Sequence, residues 1–400
     1  MANATCEVAD VVERHGEAFL RTRAANSAKV RALRSIQACR TAALGGRKLR
    51  CQSCDHTLVV YNSCRNRHCP KCGGGQRAKW VERQRRKLLL VTYFHVVFTL
   101  PQQLAPIALQ NQRRVYGLLL RAAAQTLQQL AGDPKMLGAR IGVTAVLHTW
   151  GQSMQHHPHV HCLVPGGGLD PTSGQWRGCR RNFLLPVRMM RKLFRGKLLA
   201  AIGDAYRKGE LELHGRLEHL RQPEVFWRLL RPLRKRKWVV YAKPPAAGPD
   251  VVLKYLARYV GRVAIANSRI VAVDHDRVTF RWLDRRDGRR KLMSLDGTEF
   301  LQRFCLHILP RGFVRVRHFG LLANRAGAEL QRCRELLATI QDSAAKSDPG
   351  AQQEPDAEPS LENQAERHTC PECDGVLLVV ATVLRQPLSV DIYAVWMDSS

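Results

Sequence analysis

The spacing of apolar residues divides this chain into amphipathic helices and short strands. Apolar positions recur every three to four residues in several stretches, which predicts helices over 1–38, 77–87, 103–130, 187–207, 223–234, 249–262, 297–308 and 325–342. Short apolar runs that end at turn residues predict strands over 93–100, 141–150, 159–164, 238–242, 269–273, 277–283 and 290–295. The mixture predicts an α+β fold in which an antiparallel sheet is flanked by helices.

Beyond the last predicted helix the pattern changes. Residues 342–366 hold seven acidic residues, three prolines and few apolar side chains, so we expect a disordered acidic linker. The tail that follows carries one Cys-x-x-Cys, and its pattern does not define a fold.

The charge of the chain indicates its partner. The chain has 400 residues with 64 Lys and Arg against 33 Asp and Glu, a formal net charge of +31, which favours a polyanion such as DNA. No apolar signal segment opens the chain, and the apolar runs at 88–100 and 376–384 are too short to cross a bilayer. We therefore expect no membrane contact and a bacterial cytoplasmic protein associated with the nucleoid.

The cysteines indicate a metal. In a reducing compartment, thirteen cysteines favour metal ligands over disulfides. Two Cys-x-x-Cys turns with fourteen residues between them predict one structural Zn²⁺ site held by Cys51, Cys54, Cys69 and Cys72. Four neighbours could complete a second zinc site or replace a member of the first: Cys39, Cys64, His56 and His68. Because no second pair follows Cys370 and Cys373, that turn is predicted to be an incomplete site.

Histidines on one predicted strand suggest a second kind of metal site. Side chains alternate between the faces of a strand, so His159 and His161 share a face, about 7 Å apart along the strand, and can bind one divalent ion. His148 on the preceding strand is the first candidate for a third ligand, and Gln152 and His157 are alternatives. Mg²⁺ or Mn²⁺ at such a site would polarise a scissile phosphate.

Two tyrosines complete the candidate chemistry. Tyr255 and Tyr259 are four residues apart, so a helix places both phenols on one face. A tyrosine that attacks a phosphate forms a covalent phosphotyrosine. Alone, this spacing is typical of ordinary core packing, but the histidine pair favours catalysis. Six basic residues are candidate DNA contacts. Lys254 and Arg258 lie next to the tyrosines, and four flank the cysteine-rich segment: Arg65, Arg67, Arg77 and Lys79.

Seven motifs resemble those of transposases of the insertion-sequence-91 family. They are Cys39–Gly46, Tyr61–Cys72, Tyr93–Pro101, His148–Gln152, His157–His161, Tyr255–Tyr259 with Arg262–Asn267, and His307–Phe313. The resemblance implies an N-terminal zinc-binding domain followed by a nuclease domain of the two-tyrosine HUH type, which moves DNA by a rolling-circle route. It also implies that His159 and His161 bind the metal and that Tyr255 and Tyr259 are the nucleophiles.

These observations predict three consecutive parts: a zinc-binding domain over 1–87, a nuclease domain over 88–325, and a helix, linker and tail over 326–400. The predicted activity is nicking and rejoining of single-stranded DNA at the ends of a mobile element, with structural Zn²⁺ and catalytic Mg²⁺ or Mn²⁺. Two alternatives stay open. A replication initiator or relaxase uses the same chemistry, and a zinc-finger regulator would bind DNA without cutting it.

Overall fold

The computed structural model describes residues 6–22, 25–72, 82, 84–85, 87–180, 183–246, 263–347 and 369–398. Its helices are α1 (Val8–Thr22), α2 (Ser27–Gln37), α3 (Ala105–Gln110), α4 (Gln112–Gly132), α5 (Val187–Arg207), α6 (Pro223–Leu233), α7 (Gly297–Cys305), α8 (Gly327–Ser347) and α9 (Ile392–Asp398). Its strands are β1 (Gly46–Cys51), β2 (Thr57–Tyr61), β3 (Tyr93–Thr99), β4 (Gly142–Trp150), β5 (His156–Pro165), β6 (Gly167–Leu169), β7 (Trp176–Gly178), β8 (Val240–Ala246), β9 (Ile270–Val273), β10 (Arg277–Leu283), β11 (Arg290–Asp296), β12 (Val316–Gly320) and β13 (Leu377–Val383). The α+β prediction is confirmed.

The described residues form two compact units. One takes its residues from 1–75, 263–308 and 348–400, and the other from 76–262 and 309–347. This grouping differs from the three consecutive parts predicted from the sequence, because β13 of the tail pairs with β1 near the other end of the chain. Sheet pairing of this kind depends on contacts that no local pattern reveals.

The second unit is built on a five-stranded sheet in the order β12-β4-β5-β3-β8. All four strand pairs are antiparallel, and β5 lies at the centre. Alternation gives the sheet two different faces. Val143, Ala145 and Leu147 of β4 are buried in the hydrophobic core together with the apolar side chains of helices α4 and α5. Because side chains alternate along a strand, Thr144, Val146 and His148 point to the opposite face.

The first unit contains two three-stranded sheets, β13-β1-β2 and β11-β10-β9. Helix α2 begins where the Asn26 side chain accepts a hydrogen bond from the N–H of Lys29. The tail belongs to this unit. Asp391 forms an ion pair with Arg34 of α2 at 2.7 Å, and the indole N–H of Trp396 donates to the carbonyl of Ala25 at 3.2 Å. Residues 369–398 are therefore part of the fold, which the sequence pattern did not indicate.

Most of the predicted elements that the structure describes lie within a few residues of their predicted bounds, but the helix predicted over 1–38 is two helices, α1 and α2. The helix predicted over 103–130 is two helices, because the backbone dihedral angles of Asn111 are not helical. The Asn111 side chain donates a hydrogen bond to the carbonyl of Glu212. The helices predicted over 77–87 and 249–262 lie wholly or largely outside the described residues, as does most of the acidic linker. In the described part of the chain, no helix is both long and apolar enough to cross a membrane.

Candidate metal centres

Three histidines converge on the face of the sheet away from the hydrophobic core. His148 of β4 is the direct cross-strand partner of His159 on β5, and His161 follows two residues later on the same face. Their candidate ligand atoms all lie within 4.8 Å of one another. His148 is buried, whereas His159 and His161 are half-buried. The sheet thus collects three imidazoles, one fewer ligand than a closed tetrahedral site has, which suits a metal that must also bind water or substrate.

Hydrogen bonds orient two of the three rings. The Nδ1 atom of His159 lies 2.7 Å from the carbonyl oxygen of His157, to which it can only donate. The Nδ1 atom of His161 lies 2.8 Å from Nε2 of His95 on β3. When both Nδ1 atoms carry the proton, the Nε2 lone pairs of His159 and His161 are available for a metal. His157 thus contributes its backbone carbonyl to the arrangement.

His95 is a functional candidate that the sequence reasoning missed. It is 6% exposed and stacks on His161 with ring centroids 5.0 Å apart. Burial, with smaller effects from Lys243 and His159, lowers the pKa of His95 to about 3. His95 therefore stays neutral and can accept the proton that His161 presents. Its place in the motif Tyr93–Pro101 was visible, but only the register of β3 against β5 shows which residue it contacts.

One cysteine cluster lies between α2 and the turn after β2. It consists of Cys39, Cys64, Cys69 and Cys72, whose sulfur atoms lie within 4.8 Å of one another. The Cys72 sulfur is 3.5 Å from that of Cys39 and 3.6 Å from that of Cys64. Zinc–thiolate bonds of about 2.3 Å give tetrahedral sulfur–sulfur separations of about 3.8 Å, so the four thiols have the spacing of a zinc site.

A second cluster joins Cys51 and Cys54 to Cys370 and Cys373. The predicted pairing of Cys51 and Cys54 with Cys69 and Cys72 therefore differs from the structure. Antiparallel pairing of β1 with β13 brings the tail cysteines to Cys51, whereas the end of α2 brings Cys39 to Cys72. The tail turn has the partner pair that the sequence reasoning did not find.

The other candidate residues have different positions. His68 is outside both clusters, and its Nε2 atom accepts a hydrogen bond from Arg67 at 3.3 Å. Arg65 is exposed with a positive φ of 53°, whereas Arg67 is half-buried, and burial lowers its pKa. The remaining candidates lie outside the described residues: Arg77, Lys79, Lys254, Tyr255, Arg258 and Tyr259.

Two family models match the chain. The one described as "Putative transposase" covers residues 142–329, which include the three clustered histidines. The one described as "Transposase zinc-binding domain" covers residues 11–100, which include the whole Cys39 cluster and the Cys51–Cys54 turn. No solved structure matches the chain. Fold, sites and family models together define a transposase with a zinc-binding domain, which is a DNA-binding and DNA-processing enzyme.

Two relatives extend the match over most of the chain. "Putative transposase y4qJ" of Sinorhizobium fredii (strain NBRC 101917 / NGR234) is 50% identical over 340 residues, 84% of this chain and 85% of the relative. "Transposase for insertion sequence element IS801" of Pseudomonas savastanoi pv. phaseolicola is 30% identical over 325 residues, 80% of this chain and 75% of the relative. The chain belongs to the insertion-sequence-91 family of transposases.

Proposed function

We propose that this transposase nicks and rejoins single-stranded DNA at the ends of a mobile element through a 5′-phosphotyrosine intermediate. The observation that carries the proposal is the convergence of His148, His159 and His161 on one face of the five-stranded sheet. Three neutral nitrogen ligands leave coordination positions for water and phosphate oxygens. A metal in such a site can polarise the reacting phosphate while a protein nucleophile attacks it.

The donor set fits a divalent ion. The rings of His159 and His161 are each held by a hydrogen bond at Nδ1, which leaves Nε2 for the metal. Mn²⁺ accepts imidazole and oxygen ligands, and Mg²⁺ would retain several waters beside them. A divalent ion bound there would polarise the scissile phosphate and stabilise the charge that develops on it.

The chemical step assigned to the tyrosines exchanges one phosphoester bond for another, so the energy of the bond is kept for rejoining. The phenol oxygen of Tyr255 or Tyr259 attacks the phosphorus and loses its proton. The bond from phosphorus to the 3′ oxygen breaks, and that oxygen takes up a proton to leave a free 3′ hydroxyl. The reverse reaction, in which a 3′ hydroxyl attacks the phosphotyrosine, rejoins DNA. Two tyrosines allow one strand to be held while a second is cut.

The same chemistry would serve a replication initiator or a relaxase. The zinc-binding domain and the transposase relatives favour transposition over these two functions. A regulator that only binds DNA would form no covalent intermediate, so the adduct itself distinguishes the classes.

The test is covalent capture of DNA by the full chain. Wild-type protein with Mn²⁺ and an oligonucleotide from the element end should give a protein–DNA adduct that survives a denaturing gel. Tyr255→Phe with Tyr259→Phe should give none, since each change removes only the attacking hydroxyl. Tyr61→Phe, at an exposed tyrosine of the first unit, is the matched control and should keep the adduct. An adduct formed by the double variant would overturn the assignment of the nucleophiles.

A further inference from the structure

The cysteine pair in the tail lies outside both matched family regions, which end at residues 100 and 329. In the structure it joins Cys51 and Cys54, more than 300 residues away along the chain. We propose that Cys51, Cys54, Cys370 and Cys373 bind a zinc ion of their own, which fastens the tail to the rest of the first unit. The site is independent of the histidine cluster and of the proposed cleavage chemistry.

Sulfur positions are the first support for this site. The Cys51–Cys373 and Cys54–Cys370 sulfur pairs are 3.5 and 3.6 Å apart, and the Cys54–Cys373 pair is 3.3 Å apart. A disulfide needs about 2.05 Å, whereas a tetrahedral zinc thiolate site gives about 3.8 Å. All four cysteines are free. Each turn supplies two sulfurs that approach both sulfurs of the other turn, which is the arrangement that a single ion requires.

The backbone of the two turns is the second support. The N–H of Cys51 donates to the carbonyl of His56 at 2.9 Å, and the N–H of Cys370 donates to the carbonyl of Gly375 at 2.8 Å. The residue after each second cysteine has a positive φ, 59° at Asp55 and 57° at Asp374. The tail turn therefore shares with the turn at Cys51 both this hydrogen bond and the positive φ after the second cysteine. Two like turns that face each other are how Cys-x-x-Cys pairs complete a tetrahedral site.

Gly375 of the tail turn packs closely against one sulfur of each cysteine pair. A Cβ atom on Gly375 would lie 3.0 Å from the Cys51 sulfur and 3.2 Å from the Cys373 sulfur. The N–H of Ser53 also points at the Cys51 sulfur, 3.4 Å away, and a backbone donor there stabilises a thiolate. The backbone N–H of Ser53 and the glycine at 375 thus both lie against the sulfurs.

The small sheet around this cluster has little apolar core of its own. Its buried residues are Leu49, Cys51, Cys370 and Leu377, and two of these are the cysteines themselves. Leu378, Val379 and Val380 of β13 are 47–56% exposed. Small modules with so little buried surface usually depend on a metal or a disulfide. A zinc ion would supply the stability that the pairing of β1 with β13 lacks.

Zinc content of the full-length protein tests the proposal. The wild type should hold two zinc ions by elemental analysis. Cys370→Ser with Cys373→Ser should hold one, and so should the variant that also carries Cys51→Ser and Cys54→Ser, because all four residues serve the same ion. The matched control is Cys6→Ser with Cys179→Ser, at two half-buried cysteines outside both clusters, which should keep two. Equal zinc in the tail variant and the control would overturn the proposal.

Retention of the tail gives a readout that does not depend on counting metal. A protease site placed between Pro355 and Asp356 lets the tail be cut from the chain after purification. The cut tail should co-elute with the body in size-exclusion chromatography when the four cysteines are present. It should separate in Cys370→Ser with Cys373→Ser. Co-elution in both proteins would show that strand pairing and the contacts of Asp391 and Trp396 hold the tail without zinc, and would contradict the zinc link. Adduct formation is measured on the same samples, so failure here is distinct from failure of the cleavage chemistry.

Discussion

The histidine cluster and the cysteine clusters are built in different ways. The three histidines lie on two adjacent strands at the middle of a five-stranded sheet, where backbone register fixes their positions. The cysteines lie in turns, and each cluster gathers them from separate parts of the chain. The histidine cluster offers three ligand atoms, whereas each cysteine cluster offers four.

The number of ligands indicates what each site is for. Four thiolates saturate a tetrahedral zinc ion, which leaves no position for substrate and suits a structural site. Three imidazoles leave positions open, which suits catalysis. Loss of a cysteine cluster should therefore change stability first, and loss of the histidines should change reactivity without unfolding the protein.

Breaking the Cys39 cluster should have the largest effect. In Cys64→Ser with Cys69→Ser, the first unit should unfold around 25–72, because binding of a structural zinc contributes on the order of 10 kcal/mol to the free energy of folding. Limited proteolysis and zinc analysis would detect this. Cys305→Ala, at a buried cysteine of the same unit outside both clusters, should retain zinc and protease resistance. A double variant that stays folded and keeps its zinc would show that these thiols are not ligands.

Removing two histidines should change chemistry alone. His159→Ala with His161→Ala should slow adduct formation by on the order of 10³-fold or more, since a bound metal stabilises the transition state by several kcal/mol. Binding of single-stranded DNA should change little, because basic side chains supply it. Single-turnover rates and a binding titration test both halves, with His219→Ala, at an exposed histidine, as control. Equal loss of binding and cleavage would contradict the separation of roles.

His95 should have a smaller effect that acts through His161. In His95→Ala, the Mn²⁺ concentration needed for half-maximal adduct formation should rise by about 10–100-fold, the usual cost of losing a partner of a metal-bound histidine. His95→Gln keeps an acceptor near the Nε2 position and should recover part of that loss. A Mn²⁺ titration separates the two variants. If both variants match the wild type, His95 does not orient His161.

Acid should lower the free energy of unfolding of the second unit, which is the smallest of the four expected effects. Burial lowers the pKa values of His156 and His318 to about 4 from 6.5. Below pH 6.5 the unfolded chain therefore binds more protons than the folded chain, so the free energy of unfolding falls as the pH falls toward 4. Between pH 7 and 5 each histidine should account for roughly 1–2 kcal/mol.

Hydrogen exchange of β4 and β5, corrected for intrinsic rates, measures this loss. His318→Gln, which can keep a hydrogen bond to Thr144, should make the pH dependence shallower. A variant with the same pH dependence as the wild type would show that His318 does not carry the effect.

The histidine site was largely accessible from the sequence. The alternation that makes β5 a strand also places His159 and His161 on one face, and the neighbouring strand β4 supplies His148. These are local patterns, and strands that follow each other along the chain usually pair. His95 escaped because its contact with His161 depends on how β3 is registered against β5.

The cysteine sites were only partly accessible. The sequence indicated zinc ligands in the correct segment, but spacing suggested that the two nearest Cys-x-x-Cys turns share an ion. In the structure Cys69 and Cys72 join Cys39 and Cys64, which follow α2 and β2, whereas Cys51 and Cys54 join the tail cysteines because β13 pairs with β1. Distances of more than 300 residues along the chain leave no signal in spacing.

The most direct test of the two kinds of site is one experiment on the full chain. Brief treatment with a chelator should remove the loosely held divalent ion and leave both zinc ions in their saturated thiolate sites. We expect that adduct formation then stops, that added Mn²⁺ restores it, and that elemental analysis gives two zinc ions per chain throughout. Undiminished adduct formation by the treated protein without added metal would show that cleavage does not need a divalent ion at the histidine cluster.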